Sequence, residues 1–312
     1  MSLAMQPISG GEAIAARPAA TVLLVRDGPE GLQVFMVVRH HKIDFASGAL
    51  VFPGGKVDEA DRSELAKTVC AGRTDAQASE LLDVVSGGLA FFVAALRECF
   101  EEAGILFAYP AGSTGGDLYQ PRDAAATSRL SGFRKDVNAK RVSFLEACRR
   151  SDVSLAVDRV NYFSHWITPE MAPKRFDTRF FVAHLPPGQT AIHDDFETVE
   201  TVWISPAEAL ARGEAGEFDI IFPTMRNLKA ISRFKTTTEL LEAAAAAESV
   251  PAVLPRVVSD GNGVRIVLPG DPGYEEAVAQ QASRPTTELT SEEISATIRS
   301  IGSDGRIRRD EN

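Results

Sequence analysis

The chain has 312 residues, 44% of them hydrophobic and 24% charged, with a net charge of −10. That length and apolar share bury a sizeable core, as one large domain or two small ones, and exclude a disordered or fibrous chain. The acidic balance excludes a broad basic surface for nucleic acid, so a phosphorylated ligand needs local cations or a metal.

Residues 1–17 read as an N-terminal segment. Residues 20–26 and 32–39 are rich in Val, Leu and Phe and predict two strands joined by a turn at Gly28–Gly31. A short strand over Ala49–Phe52 runs into Pro53-Gly54-Gly55, where paired glycines let the backbone approach a ligand closely or adopt positive φ. Residues 61–85 are polar and read as helical in pieces, and 88–103 predict an amphipathic helix stopped by Gly104. A helical stretch over 123–150 follows, then strands over 157–166, 176–184 and 198–204. Ser205 caps the next helix with Pro206 in its first turn, and a longer helix covers roughly 223–247. A hairpin is expected over 252–268 about the turn Asp260-Gly261-Asn262-Gly263. From 279 the sequence is polar and poor in aromatics, which predicts a flexible tail. Strands and helices mix without βαβ alternation, so the fold class is α+β with a mixed sheet.

The segment from Leu89 to Gly104 carries the chemistry. At 100° per residue, Leu89, Phe92, Val93, Leu96, Phe100 and Ala103 share one face, and Glu98, Glu101 and Glu102 share the other. Spacing of i, i+3 and i+4 sets the three carboxylates side by side, where they repel and raise one another's pKa unless a cation joins them. A hard divalent ion such as Mg²⁺ (or Mn²⁺) takes oxygen ligands and keeps waters, which suits a phosphate substrate. The competing reading is a solvated acidic face. Against it, Arg97 alone stands close enough to offset the charge, as the i, i+4 partner of Glu101. Cys70, Cys99 and Cys148 are odd in number and lack C-x-x-C spacing, which speaks against a disulfide framework or a zinc site. With no apolar run of roughly 20 residues, no basic-then-apolar leader and no Ser-Lys-Leu-type ending, a cytoplasmic location without membrane contact is expected.

Arg97-Glu98-Cys99-Phe100-Glu101-Glu102-Ala103-Gly104-Ile105 resembles the second half of the Nudix signature, R-E-U-x-E-E-x-G-U with U apolar. The first half, G-x5-E, resembles Gly55 through Asp61, with Asp where the signature has Glu. Residues 62–96 separate halves that the signature joins by seven residues, an insertion of 28. Such an insertion resembles the branch of peroxisomal coenzyme A diphosphatases. Val51–Asp58, Trp166–Pro169, Lys174–Phe181 and the segment from Glu197 to Leu210 are similar to that branch as well.

The resemblance spans roughly 18–235 and implies a three-layer α/β/α sandwich with a mixed sheet. The Nudix-like domain is taken over 18–248, with a helical insertion at about 62–87 whose place between the entry loop and the acidic helix predicts a flap near the pocket, and the hairpin forms a C-terminal extension over 249–278. The resemblance implies a metal-dependent hydrolase that cuts a pyrophosphate bond in a nucleoside-diphosphate-linked small molecule, with coenzyme A or acyl-coenzyme A favoured. ADP-ribose, dinucleotides and nucleotide sugars are the alternatives within the reaction, and a non-catalytic nucleotide-binding domain is the alternative outside it. Glu98, Glu101 and Glu102 become metal ligands, joined by a backbone carbonyl at Gly54 or Gly55, and Arg97 orients them. Glu98 and Glu197 are both candidate general bases. The shorter arm of Asp61 argues against a direct metal role for it. Arg39 and Phe45 resemble substrate-binding positions of the branch, and Lys174 with Arg175 forms a second candidate phosphate clamp. Trp166 and Phe176 could stack on a base, although core positions are their commoner use. No nucleic-acid partner is expected, and a homodimer is left open.

Overall fold

In the computed structural model, residues 14–39, 48–170, 172, 174–192, 198–260 and 263–283 are described. The chain divides into two compact units: a larger one of Pro18–Trp166 and Thr178–Ala252, and a smaller one of Met1–Arg17, Ile167–Asp177 and Val253–Asn312. Among the described residues no helix is long and apolar enough to cross a membrane.

The larger unit is built on a twisted sheet whose strands run β10-β2-β1-β9-β8. They are β1 (Arg17–Gly28), β2 (Gly31–Arg39), β8 (Asn161–Ile167), β9 (Phe176–His184) and β10 (Thr198–Ile204), with β3 (Leu50–Val51) on β2 and β4 (Gly54–Lys56) on β1. Pro29 and Glu30 make the two-residue turn between β1 and β2, and Gly31 opens β2 at φ 117°. β1 is antiparallel to β2 and β4, as β10 is to β2. β1 and β9 run the same way: Arg17 N donates to Arg175 O at one end, and Leu185 N to Val25 O at the other. The sheet is therefore mixed.

Both faces of the sheet are covered. Val22, Leu24, Phe35, Val37, Phe181 and Ala183 pack with helix α3 (Leu89–Ala103), for example through the Phe92–Phe181 pair at 4.7 Å. Their neighbours in the alternation, Leu23, Val25, Val34, Met36, Phe180 and Val182, are just as buried, which demands a second helical layer. Helices α6 (Pro206–Glu214) and α7 (Phe222–Ile231) supply it: Trp166 meets Phe222 edge-on at 5.9 Å, and Ser164 Oγ donates to Asn227 Oδ1 at 2.6 Å. Trp166 is thus a core residue.

Several boundaries differ from expectation. The 123–150 stretch splits into α4 (Ala124–Asn138) and α5 (Phe144–Arg150), because Lys140 turns left-handed at φ 55° and Ser143 restarts the helix as its cap. The 223–247 stretch splits into α7 and α8 (Thr237–Ala245), where Thr236 caps α8 and Asp27 accepts from Thr237 N and Oγ1. The strand expected from 157 begins at Asn161. Ser154–Ala156 (β7) instead joins a small sheet with β5 (Cys70–Ala71) and β6 (Ala108–Tyr109). In the smaller unit the hairpin is Arg256–Asp260 against Gly263–Val267. A helix, Tyr274–Ser283, follows it and runs through position 279, where a flexible tail was expected to begin. Residues 284–312 of that tail lie outside the described residues.

The insertion braces the acidic helix. Its helices α1 (Glu64–Val69) and α2 (Asp75–Leu81) pack on α3 and α5. Helix α3 begins at Gly88 without a side-chain cap of its own. Asp75 fills the role, accepting from Leu89 N at 3.0 Å and Gly87 N at 3.1 Å, while Ser79 Oγ accepts from Gly88 N at 2.9 Å. A carboxylate at a helix N-terminus also complements the helix dipole. A side chain at Gly88 would strike the α2 backbone at about 2.4–2.5 Å, so a glycine permits the close packing.

Candidate active site

Helix α3 brings the signature residues together near its C-terminal end, where Gly104 takes φ 73° and closes the last turn. The helix is buried on nearly every side, 13 of its 15 residues, so its acidic face is not a solvated one. Glu102 is only 5% exposed and Arg97 8%.

Arg97 is the hub. Its Nε and Nη2 each donate to Asp61 at 3.0 Å, Nη2 also donates to Lys56 O at 2.8 Å, and Nη1 donates to Glu98 at 2.7 Å and to Glu101 at 3.4 Å. All five guanidinium N–H groups therefore have acceptors. Burial disfavours the charge on Arg97, but Glu98, Asp61 and Glu101 outweigh it and raise the pKa. Asp61, 2% exposed, gives both oxygens to Arg97 and accepts from Asp58 N as well. The shortened acid of the signature is the partner of the arginine, which agrees with keeping it out of the ligand set.

The Pro-Gly-Gly loop lies directly over these groups. A Cβ at Gly54 would meet Thr21 Oγ1 at 2.5 Å and Ala20 O at 2.7 Å, so glycine lets β4 press against β1. Gly54 N donates to Glu102 Oε2 at 3.0 Å. At Gly55 a Cβ would collide with the Glu98 carboxylate. Along β4 the backbone groups alternate: Gly54 and Lys56 face α3, as their bonds to Glu102 and Arg97 record, and Gly55 faces Ala20 of β1. Of the two carbonyls weighed as a metal ligand, Gly55 and Gly54, the one on the helix side is that of Gly54.

The electrostatics favour a cation. Arg97 faces Asp58 at 3.8 Å besides Asp61, Glu98 and Glu101, so among the described residues its guanidinium is shared by four carboxylates. Burial raises the pKa of Glu101 to about 7, with Arg97 opposing and Glu98 adding to the rise. The carboxylates of Glu98 and Glu101 turn to Arg97 and that of Glu102 to Gly54. Among the described residues no three acidic, histidine or cysteine side chains already converge on one point. The carboxylates of Glu98, Glu101 and Glu102 beside the Gly54–Gly55 backbone are a donor set of hard oxygens and fit a Mg²⁺- or Mn²⁺-type ion.

Residues outside the signature divide. Arg39 ends β2 opposite Thr198. Phe45 and Glu197 lie outside the described residues. Lys174 is exposed. Arg175 is 9% exposed and donates to the carbonyls of Thr168 and Ile14, which ties the smaller unit's own segments together. Sequence reasoning missed Arg134 and Asn138, which donate from α4 to the Glu101 carbonyl. Only their i, i+4 spacing, which puts both on one face of the helix, was visible.

Residues 66–231, more than half of the chain, match the family described as the NUDT19 Nudix domain. The chain belongs to the Nudix hydrolases. Two relatives named acyl-coenzyme A diphosphatase NUDT19 agree: the one from Homo sapiens is 27% identical over 293 residues, 85% of this chain and 78% of that one. The one from Gallus gallus is 28% identical over 305 residues, 83% of this chain and 80% of that one. The crystal structure of a Nudix hydrolase from Alicyclobacillus acidocaldarius superposes with a TM-score of 0.58 at 26% identity, over 76% of this chain and 98% of that one. The family match begins after the Pro-Gly-Gly loop, and the Gly54–Glu102 bond joins that loop to the matched Nudix helix.

Proposed function

We propose that this Nudix hydrolase cuts the diphosphate of coenzyme A or acyl-coenzyme A with the help of Mg²⁺ or Mn²⁺. The observation that carries the chemistry is the cluster of Asp61, Glu98 and Glu101 carboxylates drawn together by Arg97 beside Gly54 and Gly55. The substrate class is supported by the relatives named acyl-coenzyme A diphosphatase, most of whose length this chain spans.

Glu98, Glu101 and Glu102 would hold the cation, with the Gly54 carbonyl on the same side. A bound divalent ion supplies charge neutralisation on the diphosphate and a lower pKa for the attacking water. Arg97 keeps the Glu98 and Glu101 carboxylates turned inward, and Asp61 holds Arg97 still. Glu98 or Glu197 takes the water proton on a carboxylate oxygen. Replacing the true base by Gln lowers kcat by about 10²–10⁴-fold, so Glu98→Gln and Glu197→Gln compared at saturating metal assign the role.

The test is a metal-dependent digestion of coenzyme A and acyl-coenzyme A read by mass spectrometry, with ADP-ribose, a dinucleotide and a nucleotide sugar in parallel. Release of 3′,5′-ADP with phosphopantetheine or its acyl form is expected. Cleavage confined to the parallel substrates would overturn the coenzyme A assignment and leave the hydrolase.

A further inference from the structure

We propose that Arg134 and Asn138 are positioning residues for the metal-binding turn, acting on α3 through its backbone. This inference rests on the reading that Glu98, Glu101 and Glu102 hold a divalent cation.

The last four carbonyls of a helix lack donors from within it and must find them elsewhere. At the end of α3 the Phe100 carbonyl accepts from Gly104 N at 3.0 Å, and the Ala103 carbonyl from Ile192 N at 2.9 Å. The Glu101 carbonyl accepts from Arg134 Nε at 3.0 Å, Arg134 Nη2 at 2.9 Å and Asn138 Nδ2 at 3.2 Å. Glu101 is thus held at both ends, by α4 on its carbonyl and by Arg97 on its carboxylate.

Arg134 and Asn138 stand one turn apart on one face of α4 and reach the same acceptor. Their helix is anchored beside them, where Phe133 packs on Phe100 at 4.6 Å and on Phe144 at 6.3 Å. A guanidinium at a helix C-terminus also complements the dipole. Gly104 leaves room for it: a Cβ there would stand 3.0 Å from Arg134 Nη1. Without these donors the terminal turn is free to fray, and it carries two of the three ligand carboxylates. Groups that orient metal ligands in this way typically matter by about 10–100-fold in metal affinity or activity.

The experiment titrates Mn²⁺ into the substrate-free full chain, read by electron paramagnetic resonance, for wild type, Arg134→Ala, Arg134→Lys, Asn138→Ala and Glu102→Gln. Arg141→Ala, an exposed change on the neighbouring turn, is the control. Tm and kcat at low and saturating Mn²⁺ accompany each variant. Arg134→Ala is expected to weaken Mn²⁺ binding by about 10–100-fold, with part of kcat returning at high Mn²⁺ and the KM for substrate unchanged. Arg134→Lys should recover part of the affinity, and the control should match wild type. Wild-type Mn²⁺ affinity in Arg134→Ala, whatever its Tm, overturns the proposal while the cation reading stands. Should Arg134→Ala fail to fold, Arg134→Lys and Asn138→Ala decide on the same criterion. If wild type and Glu102→Gln bind Mn²⁺ alike, the cation reading itself is wrong and the proposal falls with it.

Discussion

At Arg97, five donors meet five acceptors in a nearly dry setting, so the carboxylate opposite it stabilises the fold as well as the site. Asp61→Asn is expected to cost about 3–5 kcal/mol in denaturant unfolding, the usual loss when one member of a buried pair is removed. A cost near zero would show that Glu98 and Glu101 suffice. The glycines separate fold from function. Gly55→Ala pushes on the flexible end of Glu98, so activity should fall with little change in Tm, whereas Gly54→Ala pushes on Thr21 and the Ala20 backbone and should lower both. Equal Tm losses would contradict the assignment. Glu101 sets a pH dependence. Its folded pKa is raised to about 7 from 4.5, chiefly by burial, so the metal-free fold holds a proton that the unfolded chain has released. Stability therefore falls as pH rises between 4.5 and about 7, and Mn²⁺ affinity rises over the same window. Affinity flat across that range would show that Glu101 stays out of the ligand set. Spacing made Glu98, Glu101, Glu102 and Arg97 legible in the sequence. It could not reveal that Asp61 closes on Arg97 from 36 residues away, because that pairing depends on how the chain folds back.

Among the elements, α3 owes its N-terminus to the insertion and its C-terminus to α4 and the loop after β9. Asp75→Ala removes the borrowed cap and should cost about 1–2 kcal/mol, while kcat at saturating metal stays near wild type. A large loss of kcat at full folding would mark the insertion as a lid on the substrate. Strands β1, β2 and β10 and the Ser205-capped α6 were legible because alternation, turn residues and caps are local signals. The breaks inside 123–150 and 223–247 were not, because Ser143 and Thr236 are two among several Ser and Thr residues in these stretches, and their capping takes hold with a left-handed Lys140 and with Asp27. The support that the insertion gives α3 was not legible for the same reason, since the bonds of Asp75 to Gly87 and Leu89 are tertiary contacts that no local pattern announces.

In the molecule as a whole, a mixed sheet between two helical layers sets the Pro-Gly-Gly loop on β1 and the Nudix helix beneath it, and the chemistry follows from that contact. The fold class was legible from the irregular order of strands and helices. The grouping of 167–177 with the C-terminal segment was not, because it rests on bonds such as Arg256 to Glu170 across 86 residues. The most direct test of the account compares wild type with Glu102→Gln on acyl-coenzyme A at saturating Mg²⁺. The account predicts release of 3′,5′-ADP by the wild type and a fall of at least about 100-fold in the folded variant, whose neutral amide can still accept from Gly54 N but replaces a charged ligand. Equal rates from the two proteins would contradict it.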